Sequence, residues 1–367
     1  MMLKESLKRL GNLNFAPFLI TSLYLNISPL EYPKGEYRLI WKNYQKEIQN
    51  FSTGDREIKK SLLDDAERIS NFLDQEIIIS ANTLAIFSCS AKDWFEVYPL
   101  YPSLKSRLVV DKDPYTKPII RLLESQNPYL VILLTKDKAR IFTYHLGILK
   151  EEGEVESEIP KKHKQGGWES SDWQRWHETH VVWHLKDVFD FIKKFNGDKR
   201  IIIGGSSPTI SEFKELLPKN LQERIIGEIN LEITSPIKEL LDKIEKFINE
   251  YEGKETEELV ERIFVNTKKG KDSTYGLEEV AFIVHEDRIQ TLLVTENFEK
   301  EGFQCPRCFY ISPYLTECPF CNIKMEIRND IVDEIIEEAI NKKAKLIFIK
   351  DKNLGKKIEN IGAILRF

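Results

Sequence analysis

Apolar and polar positions along the chain switch repeatedly between the two-residue period of strands and the 3.6-residue period of helices. In the first third, residues 18–27 and 83–89 are apolar runs rich in β-branched and aromatic side chains and read as strands, with a further strand at 97–102. The polar stretch of about 38–74 between them has helical spacing. Pro, Asp and Asn mark turns around these elements. At Pro128 a new unit opens, because the apolar runs 129–134 and 139–144 flank Lys136-Asp137-Lys138 as the arms of a β-hairpin would. An acidic then basic segment, 151–164, leads to Gly166-Gly167 and a helix, for which Ser171 or Asp172 would serve as N-cap. In that helix Val181, Leu185, Val188, Ile192 and Phe195 form one stripe to be buried. A strand at 200–204 and two more helical stretches follow. The last third repeats the alternation, with helices at 257–265, 276–285 and 330–343 and strands at 291–294, 346–349 and 363–367. Strands alternating with helices imply α/β layers.

Length and composition then bound the organisation. With 367 residues and 41% hydrophobic content, the chain is too long for one small domain and too apolar for disorder. Three domains are expected: an N-terminal α/β domain over 1–127, a middle domain over 128–250 and a C-terminal domain over 251–367. Their formal charges are +1, -2 and -4, which sum to the chain's -5. The protein is therefore not a general binder of nucleic acid, and an RNA partner must meet a local basic patch. No run of 18 uncharged apolar residues occurs and the N-terminus lacks the apolar core of a signal peptide, so a cytoplasmic protein with no membrane contact is expected.

Chemistry concentrates in two places. Cys305-Pro306-Arg307-Cys308 and Cys318-Pro319-Phe320-Cys321 place four of the chain's 5 cysteines in two CxxC turns. Four thiolates suit the tetrahedral preference of Zn²⁺, and with no vacant coordination position the site is structural, with iron the alternative metal. Cys89, alone on an apolar strand, reads as a small core residue. The second place is Pro160-Lys161-Lys162-His163-Lys164-Gln165-Gly166-Gly167-Trp168, where a glycine pair permits close backbone approach and the preceding cations attract phosphates. Trp168, Trp173 and Trp176 cluster after it, either to stack on unpaired bases or line a protein contact, or as buried packing. His177, His180, His184 and Asp187 fall beside the apolar stripe and read as a polar face, solvated or RNA-facing, with a metal site as the alternative. Gly204-Gly205-Ser206-Ser207-Pro208 lacks the Lys of a P-loop and reads as a strand-to-helix turn.

These pieces, in this order, resemble the archaeal and eukaryotic class-1 release factor and Pelota superfamily, particularly its divergent bacterial and archaeal branch. The run IPKKHKQGGW resembles the family's PKKHxxGGQ loop, STYGLEEVAFIVHEDRIQTLLVTENF resembles the start of its third domain, and IGAILRF resembles that domain's last strand. The resemblance covers about residues 128–367. It implies a middle α/β domain with a GGQ-like loop and a C-terminal α/β domain of the ribosomal L7Ae type, carrying a zinc ribbon inserted at about 303–324. It also implies a tRNA-shaped factor in the ribosomal A site, its loop at the peptidyl-transferase centre and its third domain facing a translational GTPase of the elongation factor Tu/1A type. Lys161, Lys162, His163, Lys164 and Arg175 would then touch rRNA, and Gly166, Gly167 and Trp168 would form the loop tip.

Two departures matter. Trp168 stands where the family has its catalytic Gln; a backbone N–H survives that replacement but the polar side chain does not, and Gln165 and Gln174 flank the loop. The family's NIKS stop-codon element has only the echo Ser103-Leu104-Lys105-Ser106, and Phe87-Ser88-Cys89 recurs without the aromatic that its second element requires at Asp93, so stop-codon decoding is not expected. The expectation that the resemblance implies, given Trp168 in place of Gln, is A-site occupancy without chemistry, as in hibernation or stalled-ribosome recognition. The alternative is hydrolysis of peptidyl-tRNA through Gly166, Gly167, Trp168 and Gln174, and a third reading is RNA cleavage by His163 or His177.

Overall fold

The computed structural model describes residues 9–10, 13, 15–29, 31–75, 81–125, 127–158, 169–195, 197, 199–328 and 330–366. They form a mixed α/β architecture in two compact units: Met1–Ser125 with Ala281–Arg288 and Glu296–Leu346, and Gln126–Val280 with Ile289–Thr295 and Ile347–Phe367.

The N-terminal part of the first unit is an antiparallel sheet backed by two helices. Its elements are β1 (Ile20–Asn26), α1 (Tyr37–Asn50), α2 (Arg56–Asp74), β2 (Thr83–Cys89), β3 (Trp94–Leu100), β4 (Arg107–Asp111) and α3 (Lys117–Ser125), with strand order β3-β2-β1-β4. The single helical stretch expected at 38–74 is broken in two, and Asp55 caps the second piece by accepting from the N–H groups of Glu57 and Ile58. Leu23, Leu25, Leu84 and Ile86 on one face of the sheet meet Trp41, Leu62, Ala66 and Ile69 of the helices. Cys89 is buried, as its apolar strand implies.

In the second unit the hairpin is present as β5 (Tyr129–Leu134) and β6 (Lys138–His145). The acidic part of the segment from residue 151 onward, for which no strand is expected, belongs to a third strand, β7 (Ile148–Glu156), at the edge of the sheet. Its sequence ILKEEGEVE is too polar to announce a strand, yet its carboxylates pair with the neighbouring strand: Glu151 with Arg140 at 2.7 Å and Glu154 with Lys138 at 3.0 Å. The chain continues through α4 (Glu169–Ile192), β8 (Arg200–Gly205), α5 (Ser207–Leu216), α6 (Lys219–Gln222), β9 (Ile225–Ile229) and α7 (Ile237–Lys268), giving sheet order β7-β6-β5-β8-β9. The parallel β5 and β8 pair brings Gly205 against Leu134, and Ser207 opens α5 directly after it, so the glycine pair is a strand-to-helix turn. Where the sequence places a boundary at 250/251 and a short helix at 257–265, α7 runs unbroken for 32 residues. Its first half packs Leu240, Ile244 and Ile248 under the sheet, and its second half packs Val260 and Ile263 against C-terminal strands.

The C-terminal elements are β10 (Ser273–Tyr275), α8 (Leu277–His285), β11 (Ile289–Thr295), β12 (Gly302–Gln304), β13 (Ile311–Ser312), β14 (Glu326–Arg328), α9 (Ile331–Asn341), β15 (Lys345–Ile349), α10 (Lys352–Lys356) and β16 (Ile361–Leu365). Four of them form a sheet of order β10-β16-β11-β15, and β13-β12-β14 form a separate small sheet around the cysteines. Among the described residues no helix is long and apolar enough to cross a membrane.

Candidate functional site

The loop carrying Lys161, Lys162, His163, Lys164, Gly166, Gly167 and Trp168 lies outside the described residues. Its two roots are described. The chain leaves the sheet edge after Glu156, where the Ser157 N–H donates to the Asp137 carbonyl at 2.9 Å, and α4 begins at Glu169. The helix therefore starts ahead of Ser171 and Asp172, which lie in its first turn and do not cap it.

Along α4 the expected stripe is buried: Val181, Leu185, Val188 and Ile192 all face the core, and Phe195 packs against it. Among the side chains described, none before Val181 is buried. Twelve residues separate Glu169 from Val181, about 18 Å of helix at 1.5 Å per residue. The first three turns thus carry their described side chains outside the core and hold the second root of the loop at their far end. Arg175 is exposed on this stretch, and the backbone of Gln174 is helical beside it.

The histidines do not share one fate. His184 sits at the edge of the apolar stripe and is fully buried, because a core-facing stripe is wider than its most hydrophobic positions suggest. Its Nδ1 lies 2.9 Å from Ser157 Oγ, tying the helix to the first root of the loop. Burial lowers its pKa, and among the described residues its Nε2 has no hydrogen-bond partner. The pairing with Ser157 was not legible in sequence, where the two residues are 27 apart. His180 lies instead between two indoles, 4.4 Å from Trp176 and 5.0 Å from Trp183 by ring centroids. Trp176 is 44% and Trp183 54% exposed. Among the described residues the histidines form no metal cluster; the only group close enough to hold an ion is the four cysteines.

That cysteine centre is built from two copies of one turn. In the first, the Cys305 N–H donates to the Tyr310 carbonyl at 2.8 Å and the Phe309 N–H to the Cys305 carbonyl at 3.0 Å. In the second, the Cys318 N–H donates to Ile323 at 2.9 Å and the Asn322 N–H to Cys318 at 2.9 Å. The residue after each second cysteine is left-handed, Phe309 at φ +59° and Asn322 at +52°. The first turn aims a backbone N–H at its first sulfur, that of Cys308 at Cys305 Sγ at 3.5 Å. Burial raises the Cys305 thiol, but the N–H groups of Cys308 and Arg307 outweigh it and bring it down to about 7, while burial pushes Cys308 up to about 12. All four sulfurs lie within 4.8 Å of one another, with Cys308 and Cys318 at 3.5 Å. Four sulfurs at about 2.3 Å from one ion on a tetrahedron stand about 3.8 Å apart, so the site is close enough to coordinate a metal. Tyr310 and Met325 pack over it.

Comparison with known proteins places these parts. A family model described as bacterial archaeo-eukaryotic release factor family 10 matches residues 114–248, and one described as eRF1 domain 3 matches residues 254–367. Peptide chain release factor subunit 1 of Archaeoglobus fulgidus is 29% identical over 304 residues, covering 74% of this chain and 72% of that protein. The same-named protein of Thermococcus onnurineus is 25% identical over 352 residues, covering 84% and 85%. A crystal structure of an archaeal translation termination factor aligns with 100% of this chain and 97% of its own, at 19% identity and a TM-score of 0.30. With two consecutive family models matched in order and release factors aligned over most of its length, the chain belongs to the archaeal and eukaryotic class-1 release factor and Pelota superfamily of translation factors.

Proposed function

We propose that the protein is a ribosomal A-site factor of the release and rescue type, which hydrolyses the ester of peptidyl-tRNA through the loop at 159–168. The observation that carries this reading is the start of α4, which follows Gly166-Gly167 closely in the chain and whose described side chains from Arg175 to His180 are not buried in the core. Such a helix start suits delivery of a loop into a deep, narrow centre. The alignment of release factors over most of the chain weighs for hydrolysis and against simple occupancy, which Trp168 in place of Gln favours.

In this reading Lys161, Lys162, His163, Lys164 and Arg175 neutralise rRNA phosphates. Gly166 and Gly167 let the backbone approach the ester carbonyl, where an N–H at Trp168 donates to the oxyanion as water adds to the carbon and the tRNA 3′ oxygen leaves with a proton. Gln174, close behind the loop, takes the water-positioning role that Trp168 lacks. The four cysteines hold Zn²⁺, whose chemistry here is to pin two turns together. The acidic C-terminal part faces a translational GTPase of the elongation factor Tu/1A type, and no stop codon is read, because the N-terminal part lacks the NIKS element. The second reading, occupancy without chemistry, rests on Trp168 in place of Gln.

Purified protein added to ribosomes carrying labelled peptidyl-tRNA separates the two. Peptide release that falls about 10²-fold in Gly167→Ala is expected, the scale of losing one oxyanion donor. Tight binding with no release would overturn hydrolysis and leave occupancy.

A further inference from the structure

Within the first unit a basic strip and an acidic edge of the same chain lie face to face. Residues 105–121 carry Lys105, Arg107, Lys112, Lys117 and Arg121 against two acids, Asp111 and Asp113. Residues 330–338 carry Asp330, Asp333, Glu334, Glu337 and Glu338 and no cation. On α3 and α9 the partners run antiparallel and one turn apart: Arg121 pairs with Asp333 and Lys117 with Glu337. Lys105 Nζ lies 2.8 Å from both carboxylate oxygens of Glu299, and Arg107 lies 3.3 Å from the same group. Tyr115 links the rows, accepting from Arg107 at 2.9 Å and donating to Asp333 at 3.3 Å.

The pairs differ in burial, and burial decides which can exchange. Arg121 and Asp333 are 18% and 9% exposed; separating them strands a charge in a dry site. Glu299 and Glu337, 37% and 43% exposed, sit in water at the rim, where an ion pair is worth little and salt screens it. A polyphosphate can outbid a carboxylate there, since it offers several charges at once and releases condensed counterions on binding.

We propose that Lys105, Arg107 and Lys117 form an RNA-phosphate-binding rim, and that Glu299 and Glu337 occupy it as a built-in competitor that RNA backbone displaces while Arg121 and Asp333 stay joined. The rim uses none of the residues of the loop at 159–168, so the inference does not rest on hydrolysis. It adds a second basic contact on a chain of net charge -5 and explains why that contact is silent in the charge balance.

A carbodiimide, which couples an amine to an adjacent carboxylate, reads this directly on the full-length protein. Cross-links Lys105–Glu299 and Lys117–Glu337 are expected without RNA, and their yield should fall severalfold with a saturating uridine oligonucleotide. The pair Lys214–Glu228, 2.5 Å apart in the other unit, should be unchanged. Glu299→Gln with Glu337→Gln should tighten oligonucleotide binding by about 2- to 30-fold. Lys105→Gln with Lys117→Gln should weaken it and reduce the slope of log affinity against log salt by about 1.4. Cross-links that persist at saturation, or affinity unmoved by removal of the two carboxylates, would overturn the proposal. The cross-linking arm uses the unmodified chain and stands even where a variant fails to fold.

Discussion

Asp65 allows charge to be separated from hydrogen bonding in the N-terminal sheet. Its carboxylate is fully buried and accepts from Thr21 Oγ1 at 2.8 Å, Ser88 Oγ at 2.7 Å, the Ser90 N–H at 2.7 Å and Ser90 Oγ at 2.6 Å. The two serines reach Oδ1, and only Thr21 reaches Oδ2. Asparagine can keep its oxygen at the first position and donate from its nitrogen to Thr21, whose hydroxyl turns to accept. Alanine cannot: the Ser90 N–H is left without a partner at about 1–3 kcal/mol, and lost packing adds about 1 more, so Asp65→Ala should cost about 3 kcal/mol. Asp65→Asn should cost under about 1 kcal/mol.

The pH dependence follows with a definite sign. Burial raises the Asp65 pKa although its four donors oppose the shift. A folded pKa above the unfolded value of about 3.9 means the native state holds the proton more tightly. Asp65 therefore contributes most to stability below that unfolded value, and the contribution declines as pH rises through the folded one. Asp65→Asn carries no such proton and should show a flatter profile. Urea unfolding followed by amide exchange in peptides spanning β1 and β2 measures both effects; at about 2 kcal/mol per molar urea, Asp65→Ala should lower the midpoint by about 1.5 M. If Asp65→Asn proves as damaging as Asp65→Ala, the charge and not the satisfied donors holds the site, and the reasoning fails.

Two further outcomes follow from particular backbone and ligand geometry. Gly205 sits at φ +147° and a Cβ there would stand 2.3 Å from the Leu134 carbonyl oxygen, so Gly205→Ala should cost about 2–4 kcal/mol by thermal melting. Gly197→Ala, at φ +132° but with nothing within 4 Å, should cost only about 1 kcal/mol; equal losses would refute the clash. Freshly purified protein should contain one equivalent of zinc by elemental analysis. Chelation or Cys318→Ser should raise amide exchange across residues 302–328 and little elsewhere, because strands of 3, 2 and 3 residues cannot hold that sheet alone. Metal-free protein with slow exchange there would contradict the assignment.

Local rules made part of this molecule legible. The strand at 83–89, the hairpin of β5 and β6 and the CxxC pairs each depend on a few consecutive residues: an apolar run, a turn, two thiols. The four-sulfur cluster followed from spacing alone because two identical turns bring it together. Other features have no local signature. β7 is an acidic edge strand that exists because β6 offers it a ladder and two cations. α7 spans an expected boundary because two separate cores claim its two halves.

By itself the sequence determined most of the kinds of element, the clustered cysteines and the family, all of which rest on neighbours in the chain or on ordered motifs. Only the tertiary structure decided the environments. It buried His184 against Ser157, left Trp176 and Trp183 exposed on α4, and set Glu299 and Glu337 on cations about two hundred residues away. The physical reason is that desolvation and charge pairing depend on what packs opposite a residue. Net charge showed a chain short of cations, and the fold shows where some of its cations are covered by its own acids.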